Sequence, residues 1–163
     1  MKLHVFWHIF PHFGLICICS GTRLSFIKNL QAEEIDYIVF YDKPFSKFER
    51  LLETYLAFAP KGYKSFAQSM PLWIKDKLFQ KNILVGELEE LFERDIAWSN
   101  RLLFSEHHLS HAASAYFCSP FDEAVVITLD GVGEHDTGTV WLGKGGVLDK
   151  VSASKFPNSL GLF

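Results

Sequence analysis

Apolar residues recur along this chain with two spacings, and each spacing predicts a different kind of element. Short runs rich in β-branched or aromatic residues predict strands at residues 36–41, 124–129, 137–143 and 147–154. Apolar positions three and four residues apart predict a helix after Asp42-Lys43-Pro44, where proline suits the first turn. The two patterns together predict an α/β fold with a mixed sheet flanked by helices.

The predicted helix after Pro44 carries one long apolar stripe, and we expect this stripe to lie in the core. Its members are Phe45, Phe48, Leu51, Leu52, Tyr55 and Leu56. Pro60, Gly62 and Pro71 interrupt the next section, and helical patterns resume at 72–79 and 86–94. A helix at 24–35 and a short strand at 101–105 complete the predicted elements.

The composition of the chain suggests one globular domain and argues against nucleic-acid binding and a disulfide framework. The chain has 163 residues, 48% of them hydrophobic, which suits one ordinary domain. The net charge is −3 and no basic run is present, so binding to a nucleic-acid backbone is not favoured. Cys17, Cys19 and Cys118 match neither a disulfide framework nor a standard zinc pattern. We therefore expect reduced thiols in a cytoplasmic protein.

The first 21 residues differ from the rest of the chain. MKLHVFWHIFPHFGLICICSG is apolar and aromatic, and it contains His4, His8 and His12. A signal peptide is one interpretation, although Pro11 and the histidines interrupt its apolar region. The segment is too interrupted to span a membrane as a helix, so no membrane association is expected.

Two histidines after the predicted strand at 101–105 are candidate metal ligands. His107 and His111 are four residues apart, which places both imidazoles on one helix face. His108 points elsewhere and is a poorer candidate. Two imidazoles need a carboxylate from another element, and such a set suits a first-row divalent metal. From spacing alone, a pair of histidines on an ordinary helix remains the alternative.

Asp130 supplies that carboxylate in the prediction. It ends the run Ala124–Leu129, which is typical of a strand buried on both faces, and an aspartate there is costly unless it is paired or coordinating. Gly131 and Gly133 allow the following turn to approach a ligand closely. Asp-Gly is also a strong hairpin signal, and the two interpretations are compatible.

Three segments resemble one known family. Residues 106–134, EHHLSHAASAYFCSPFDEAVVITLDGVGE, are similar to the metal- and nucleotide-binding segment of the O-carbamoyltransferases of antibiotic and nodulation-factor biosynthesis. The segments YDKPFSKFERLLETYLAF at 41–58 and FPNSLGLF at 156–163 resemble those enzymes as well. The two-histidine motif is also shared with the tRNA threonylcarbamoyl-transfer enzymes.

The resemblance implies a fold and a site. It implies part of an actin-like ATPase domain, of the sugar kinase and actin type, with a hairpin turn that holds phosphates. His107, His111 and Asp130 would bind Fe²⁺ or another divalent metal. Asp130, Gly131, Gly133 and Glu134 would line one side of an ATP cleft, with glycine N–H groups near the phosphates.

The resemblance also implies an activity, namely ATP-dependent transfer of a carbamoyl group from carbamoyl phosphate to a hydroxylated small-molecule acceptor. In the family a separate domain activates the carbamoyl group as an adenylate. Asn158 stands where the family usually has a histidine, and His135 where it has an aromatic residue. We therefore expect this fragment to be inactive alone. The alternative is a non-catalytic metal- or nucleotide-binding fragment, or a remnant, that needs a partner.

The resemblance sets the predicted domain boundary. Residues 1–30 lack the His- and Asp-bearing first turn of the family, so we interpret them as an unmatched leader that packs poorly on the sheet. Residues 31–163 would then be a partial N-terminal domain, from a truncated or frameshifted gene. The open edges of a partial fold would favour self-association.

Overall fold

The chain contains both helices and two small sheets, which confirms the predicted mixed α/β class. The computed structural model describes residues 6–10, 13–18, 32, 35–92 and 96–162. The chain divides into two units, residues 1–104 and residues 105–163. Within the described residues, no helix is both long enough and apolar enough to cross a membrane.

The first unit contains a four-stranded mixed sheet and four α-helices among its described residues. The strands are β1 (Phe6–Phe10), β2 (Phe13–Ile18), β3 (Tyr37–Phe40) and β4 (Leu102–Phe104). The helices are α1 (Pro44–Ala57), α2 (Tyr63–Trp73), α3 (Gln80–Phe92) and α4 (Trp98–Arg101). The sheet order is β1-β2-β3-β4. β1 and β2 are antiparallel, whereas β2, β3 and β4 are parallel.

Part of the predicted leader pairs with the sheet, and how its side chains pack stays a prediction. β1 and β2 lie within the predicted leader, and β2 pairs in parallel with β3 over Leu15 to Ile18. β2 is therefore an interior strand of the sheet order. The helix predicted at 24–35 falls largely outside the described residues.

A buried cluster fixes β3 and β4 against the helices of the first unit. Ile38 of β3, Trp98 of α4 and Leu88 of α3 are each at most 1% exposed. The Arg101 guanidinium donates hydrogen bonds to the carbonyls of Ile35, at 2.5 Å, and Ala32, at 3.3 Å. The short β4 strand is thus held at both its backbone and its side chains.

The apolar stripe of α1 is not part of this cluster, so the prediction that it lies in the core was wrong. Phe45 is 65% exposed and Leu56 is 76% exposed. The stripe instead borders an open apolar groove of about 230 Å³ between α1 and α2, which Tyr55 and Phe66 help to line. Helical spacing identifies an apolar face, but it does not say what covers that face.

Pro71 was predicted to interrupt the helical pattern, but α2 continues through it to Trp73. A π-helical turn, Ile74–Leu78, follows before α3 begins. A proline inside a helix removes one backbone hydrogen bond and disturbs the preceding turn.

The second unit is one helix packed on a three-stranded antiparallel sheet. α5 spans His107–Tyr116, and the strands are β5 (Glu123–Leu129), β6 (Asp136–Lys144) and β7 (Val147–Lys155). The sheet order is β5-β6-β7, a meander, and its strands match those predicted at 124–129, 137–143 and 147–154. The register of the first hairpin places Thr128 opposite Thr139 and Val126 opposite Trp141.

β5 is buried on one face only, so the prediction of burial on both faces was wrong. Val126 and Thr128 are 7% and 6% exposed, whereas Val125, Ile127 and Leu129 are 60–66% exposed. Successive side chains of a strand point to opposite faces, and α5 covers just one of them. The sequence is apolar on both faces, which made the two cases indistinguishable by pattern.

α5 docks on the sheet through small and aromatic residues. Ala112 is fully buried and Tyr116 is 5% exposed, and both pack with Val126 and Trp141. A Cβ placed on Gly143 of β6 would lie 2.6 Å from two carbons of the Tyr116 ring. Gly143 is therefore required for the close approach of the helix end to the sheet. Cys118, just beyond α5, is an exposed free thiol.

We predict that Gly143→Ala destabilises the protein by about 1–3 kcal/mol, because the added methyl group overpacks the contact with Tyr116. Urea denaturation followed by circular dichroism measures the change. Gly86→Ala is the control, since a Cβ there meets nothing within 4 Å and alanine favours the helix. A Gly143→Ala chain as stable as the unsubstituted protein would contradict this packing.

Candidate metal centre

Helix α5 begins where a carboxylate from the β5–β6 turn meets its first N–H group. Both oxygens of Glu134 lie 3.0 Å from the backbone nitrogen of His107, whose N–H donates to them. Glu134 is 9% exposed. A negative charge at a helix N-terminus satisfies otherwise unpaired donors and interacts favourably with the helix dipole. This contact fixes the first turn of α5, and with it the backbone of His107.

His107, His111 and Asp130 come together as the spacing indicates. His107 Nε2 lies 2.7 Å from Asp130 Oδ2 and 3.1 Å from His111 Nε2. One ligand atom from each residue lies within 4.8 Å of the other two. His107 is 8% exposed, and His111 is exposed. The cluster therefore sits at the surface of the second unit, with one imidazole buried and the other accessible.

The short contacts of His107 Nε2 with Asp130 and His111 are explained better by a shared metal cation than by hydrogen bonds. A ring nitrogen has either one hydrogen or one lone pair in its plane, so it cannot satisfy Asp130 and His111 together. Ligand atoms around one divalent ion are about 2.9–3.5 Å apart when the bonds are about 2.0–2.2 Å. The separation of 3.1 Å between the two imidazole nitrogens lies in that range. The residues present fit a divalent metal, because one ligand atom from each of the three lies within 4.8 Å of the other two.

Asp130 is held in its ionised form. Burial alone would raise the pKa of its carboxyl group. The Gly131 N–H, which donates to Asp130 Oδ1 at 2.7 Å, and the nearby His107 and His111 lower the pKa below the usual value instead. An ionised carboxylate is the form that binds metal.

The N–H groups of the two glycines in the β5–β6 turn form hydrogen bonds to neighbouring residues of the same hairpin. Gly131 N–H donates to the Asp130 carboxylate, and Gly133 N–H donates to the Asp136 carbonyl at 2.9 Å. Both glycine N–H groups that the sequence assigns to nucleotide phosphates are thus bonded within the turn. The Glu134 carboxylate, predicted at the same cleft, faces helix α5. Nucleotide binding by these residues stays a prediction.

The segment at residues 156–161 braces the turn, a role that the sequence did not reveal. The Ser159 hydroxyl donates to the carbonyls of Gly131, at 2.7 Å, and Asp130, at 3.2 Å. A Cβ on Gly161 would lie 2.5 Å from the carbonyl of Asp130. The backbone carbonyl of Asn158 accepts hydrogen bonds from the hydroxyls of Thr137 and Ser154.

His108, which the sequence sets aside as a ligand, does face away from the metal cluster. It is 2% exposed, and its two ring nitrogens contact Thr128 Oγ1 at 2.7 Å and the Asp136 carbonyl at 2.8 Å. The sequence contained no indication of these contacts beyond the position of His108 between the two candidate ligands. The partners on the sheet are visible only once the hairpin register is known.

Lys150 of β7 ties the outer side of the same region together. Its ammonium group lies 3.3 Å from Glu106 and 3.2 Å from Asp136, and 5.3 Å from the centre of the Trp141 ring. Partial burial would lower the pKa of Lys150, but the two carboxylates raise it above the usual value. Lys150 therefore stays charged and links β7 to the residue before α5.

The chain is similar to several longer proteins. It is 53% identical to the uncharacterized protein sll1178 of Synechocystis sp. over 153 residues, which cover 94% of this chain and 24% of that protein. It is 35% identical to nodulation protein NolNO of Sinorhizobium fredii over 82 residues, 50% of this chain and 12% of that one. Nodulation protein NolO of Bradyrhizobium diazoefficiens is 39% identical over 57 residues, 35% of this chain and 10% of that protein.

The chain thus spans about a quarter or less of the length of these relatives. A family profile described as the carbamoyltransferase N-terminus matches residues 22–163. That match includes residues 22–30, which the sequence analysis assigned to the leader, and both the histidine pair and Asp130. The chain belongs to the carbamoyltransferase family and represents its N-terminal region.

Proposed function

We propose that the second unit is the metal- and nucleotide-facing part of an ATP-dependent O-carbamoyltransferase. The observation that carries the proposal is the convergence of His107, His111 and Asp130 in a chain of the carbamoyltransferase family. Carbamoyl phosphate is the donor in this proposal, and the hydroxyl group of a small molecule is the acceptor.

The metal in this proposal is Fe²⁺ or another divalent first-row ion, held by the two imidazoles and the Asp130 carboxylate. Such mixed nitrogen and oxygen ligands suit these ions. Bound there, the metal would supply positive charge to hold nucleotide phosphates and stabilise developing negative charge. The chain's own part is to present ionised Asp130 beside His107, and Ser159 and Gly131 help by fixing the turn.

ATP is the proposed nucleotide, at the turn from Asp130 to Glu134. Gly131 and Gly133 leave the backbone of the turn without side chains. Since their N–H groups are already bonded within the turn, we expect the metal to provide most of the attraction for phosphate. This refines the earlier expectation that the glycine N–H groups bind the phosphates directly.

We also propose that the mixed α/β chain is part of an actin-like ATPase domain. The support is the β5-β6-β7 meander, whose first turn carries the acidic residue and the glycines. The outer face of β5, with Val125, Ile127 and Leu129 exposed, would then pack against further polypeptide or a second copy of the chain.

A second candidate function is metal or nucleotide binding without catalysis, completed by a partner. It is favoured by the exposure of His111 and by the presence of three protein ligands, which leave further coordination positions to other groups. Both functions use the same metal site. They differ in catalysis, and turnover of substrate by the isolated chain would distinguish them.

We predict that the chain binds Fe²⁺ or Mn²⁺ weakly, and that His107→Ala and Asp130→Ala each lower the affinity by at least about tenfold, because each removes one of three ligands. Affinity should also fall as pH drops below about 6.5, where protons compete for free imidazole. Isothermal titration calorimetry with Mn²⁺ measures both effects.

His135→Ala and Asp122→Ala are matched controls, since they remove a histidine and an aspartate of the same unit from outside the cluster. They should retain the affinity of the unsubstituted chain. Equal affinity in His107→Ala and the unsubstituted chain would exclude this metal site.

We predict that the 163-residue chain alone performs no carbamoyl transfer. ATP-dependent transfer requires an activating site, an acceptor pocket and a nucleotide held from two sides, and the described residues offer one metal cluster and one turn. The test supplies ATP, carbamoyl phosphate, Fe²⁺ and a panel of hydroxylated acceptors, and measures AMP, pyrophosphate and carbamoylated product. Turnover would refute the predicted inactivity and support the enzyme over the non-catalytic alternative.

A further inference from the structure

Behind the metal cluster, five groups form a continuous buried network. They are the Trp141 indole N–H, the hydroxyls of Thr139 and Thr128, the His108 imidazole and the Asp136 carbonyl. The Thr128 and Thr139 oxygens are 2.6 Å apart, and the Trp141 indole nitrogen contacts Thr139 Oγ1. All four contributing side chains are at most 6% exposed. From Trp141, the network runs from β6 to β5, then to α5, and back to Asp136 at the start of β6.

The Asp136 carbonyl at one end of this network fixes the direction of its hydrogen bonds for a neutral His108 ring. The carbonyl only accepts, so His108 Nε2 carries a hydrogen and Nδ1 has a lone pair. Thr128 then donates its one hydrogen to Nδ1, Thr139 donates to Thr128, and the Trp141 indole donates to Thr139. The opposite direction would need hydrogens on both ring nitrogens of His108, and such a charged ring is costly to bury at 2% exposure.

His108 is therefore held as the tautomer with hydrogen on Nε2, and its ring cannot rotate without breaking two buried hydrogen bonds. Leaving such buried groups unpaired is costly. The ring is also wedged against the turn, because a Cβ on Gly133 would lie 2.9 Å from His108 Cδ2. This ring defines how closely the turn approaches α5.

The two ends of the turn are attached to consecutive residues of α5. Asp130, at its start, contacts His107, and the carbonyl of Asp136, just after it, accepts from His108. Any change in the His108 contact would move the turn relative to the helix, and the separation of His107 from Asp130 with it. Ligand geometry at a metal site depends on such outer contacts.

We propose that His108 is a positioning residue for the metal centre: through the one-way buried network from Trp141, it sets the distance between Asp130 and the two histidine ligands. The inference rests on the proposed metal site for its role. The tautomer and direction of the network do not depend on a metal.

The test compares near-isosteric variants of the full chain with Co²⁺ as the probe. Thr128→Val removes the donor to His108 and should weaken Co²⁺ binding at least about tenfold and shift the Co²⁺ absorption bands. Thr139→Val removes a more distant link and should have a smaller effect of the same kind. His108→Gln keeps a donor and an acceptor, and it should bind Co²⁺ more tightly than His108→Leu does.

Tyr116→Phe is the matched control, because it removes a hydrogen bond, to the Asp122 carbonyl at 2.8 Å, from the other end of α5. It should lower stability and leave the Co²⁺ bands unchanged. If Thr128→Val and Tyr116→Phe give the same bands and affinity as the unsubstituted chain, the positioning role is overturned.

A second measurement on the unsubstituted, metal-free chain reads the tautomer directly. Long-range ¹⁵N–¹H correlation spectra should show hydrogen on Nε2 of His108 and a bare Nδ1. Hydrogen on Nδ1 would overturn the network even if Co²⁺ binds. No Co²⁺ binding by the unsubstituted chain would refute the proposed metal site and the positioning role together, while the tautomer result would still stand.

Discussion

Burial of polar groups between α5 and the β5–β6 hairpin is the constraint on which the rest of the second unit depends. Each such group has to find a partner inside the protein, because an unpaired one costs as much as a lost hydrogen bond or more. Glu134 satisfies the first N–H of α5, and His108 satisfies both a threonine hydroxyl and a backbone carbonyl. The helix can meet these demands in one position only, and that position brings His107 to Asp130.

The candidate site was largely predictable because its ligands follow local rules. Four-residue spacing places His107 and His111 on one helix face, and a hydrophobic run that ends in Asp130 places a carboxylate at the end of a strand. The contributions of Glu134 and His108 were not predictable in this way. Their partners lie 20 or more residues away, and they become evident only when the helix is docked on the hairpin.

The fold was predictable where a local signal was strong and not where burial depended on distant packing. Pro44 correctly marked the start of α1, and the apolar runs at 137–143 and 147–154 correctly marked β6 and β7. The apolar face of α1 and the outer face of β5 have the composition of core surfaces, yet the first is at most half-buried and the second is exposed. The spacing of apolar residues in a sequence shows which surfaces are apolar. Whether those surfaces are buried depends on what other polypeptide is present to cover them.

The regular pairing of β5 with β6 has a consequence for how this region can vary. Thr128 lies opposite Thr139, and both point to the face that α5 covers. A one-residue insertion or deletion inside β6, between Gly138 and Thr139, would turn the following side chains to the opposite face of the sheet. Thr139 and Trp141 would then leave the interior together. This part of β6 is thus constrained in length as well as in composition.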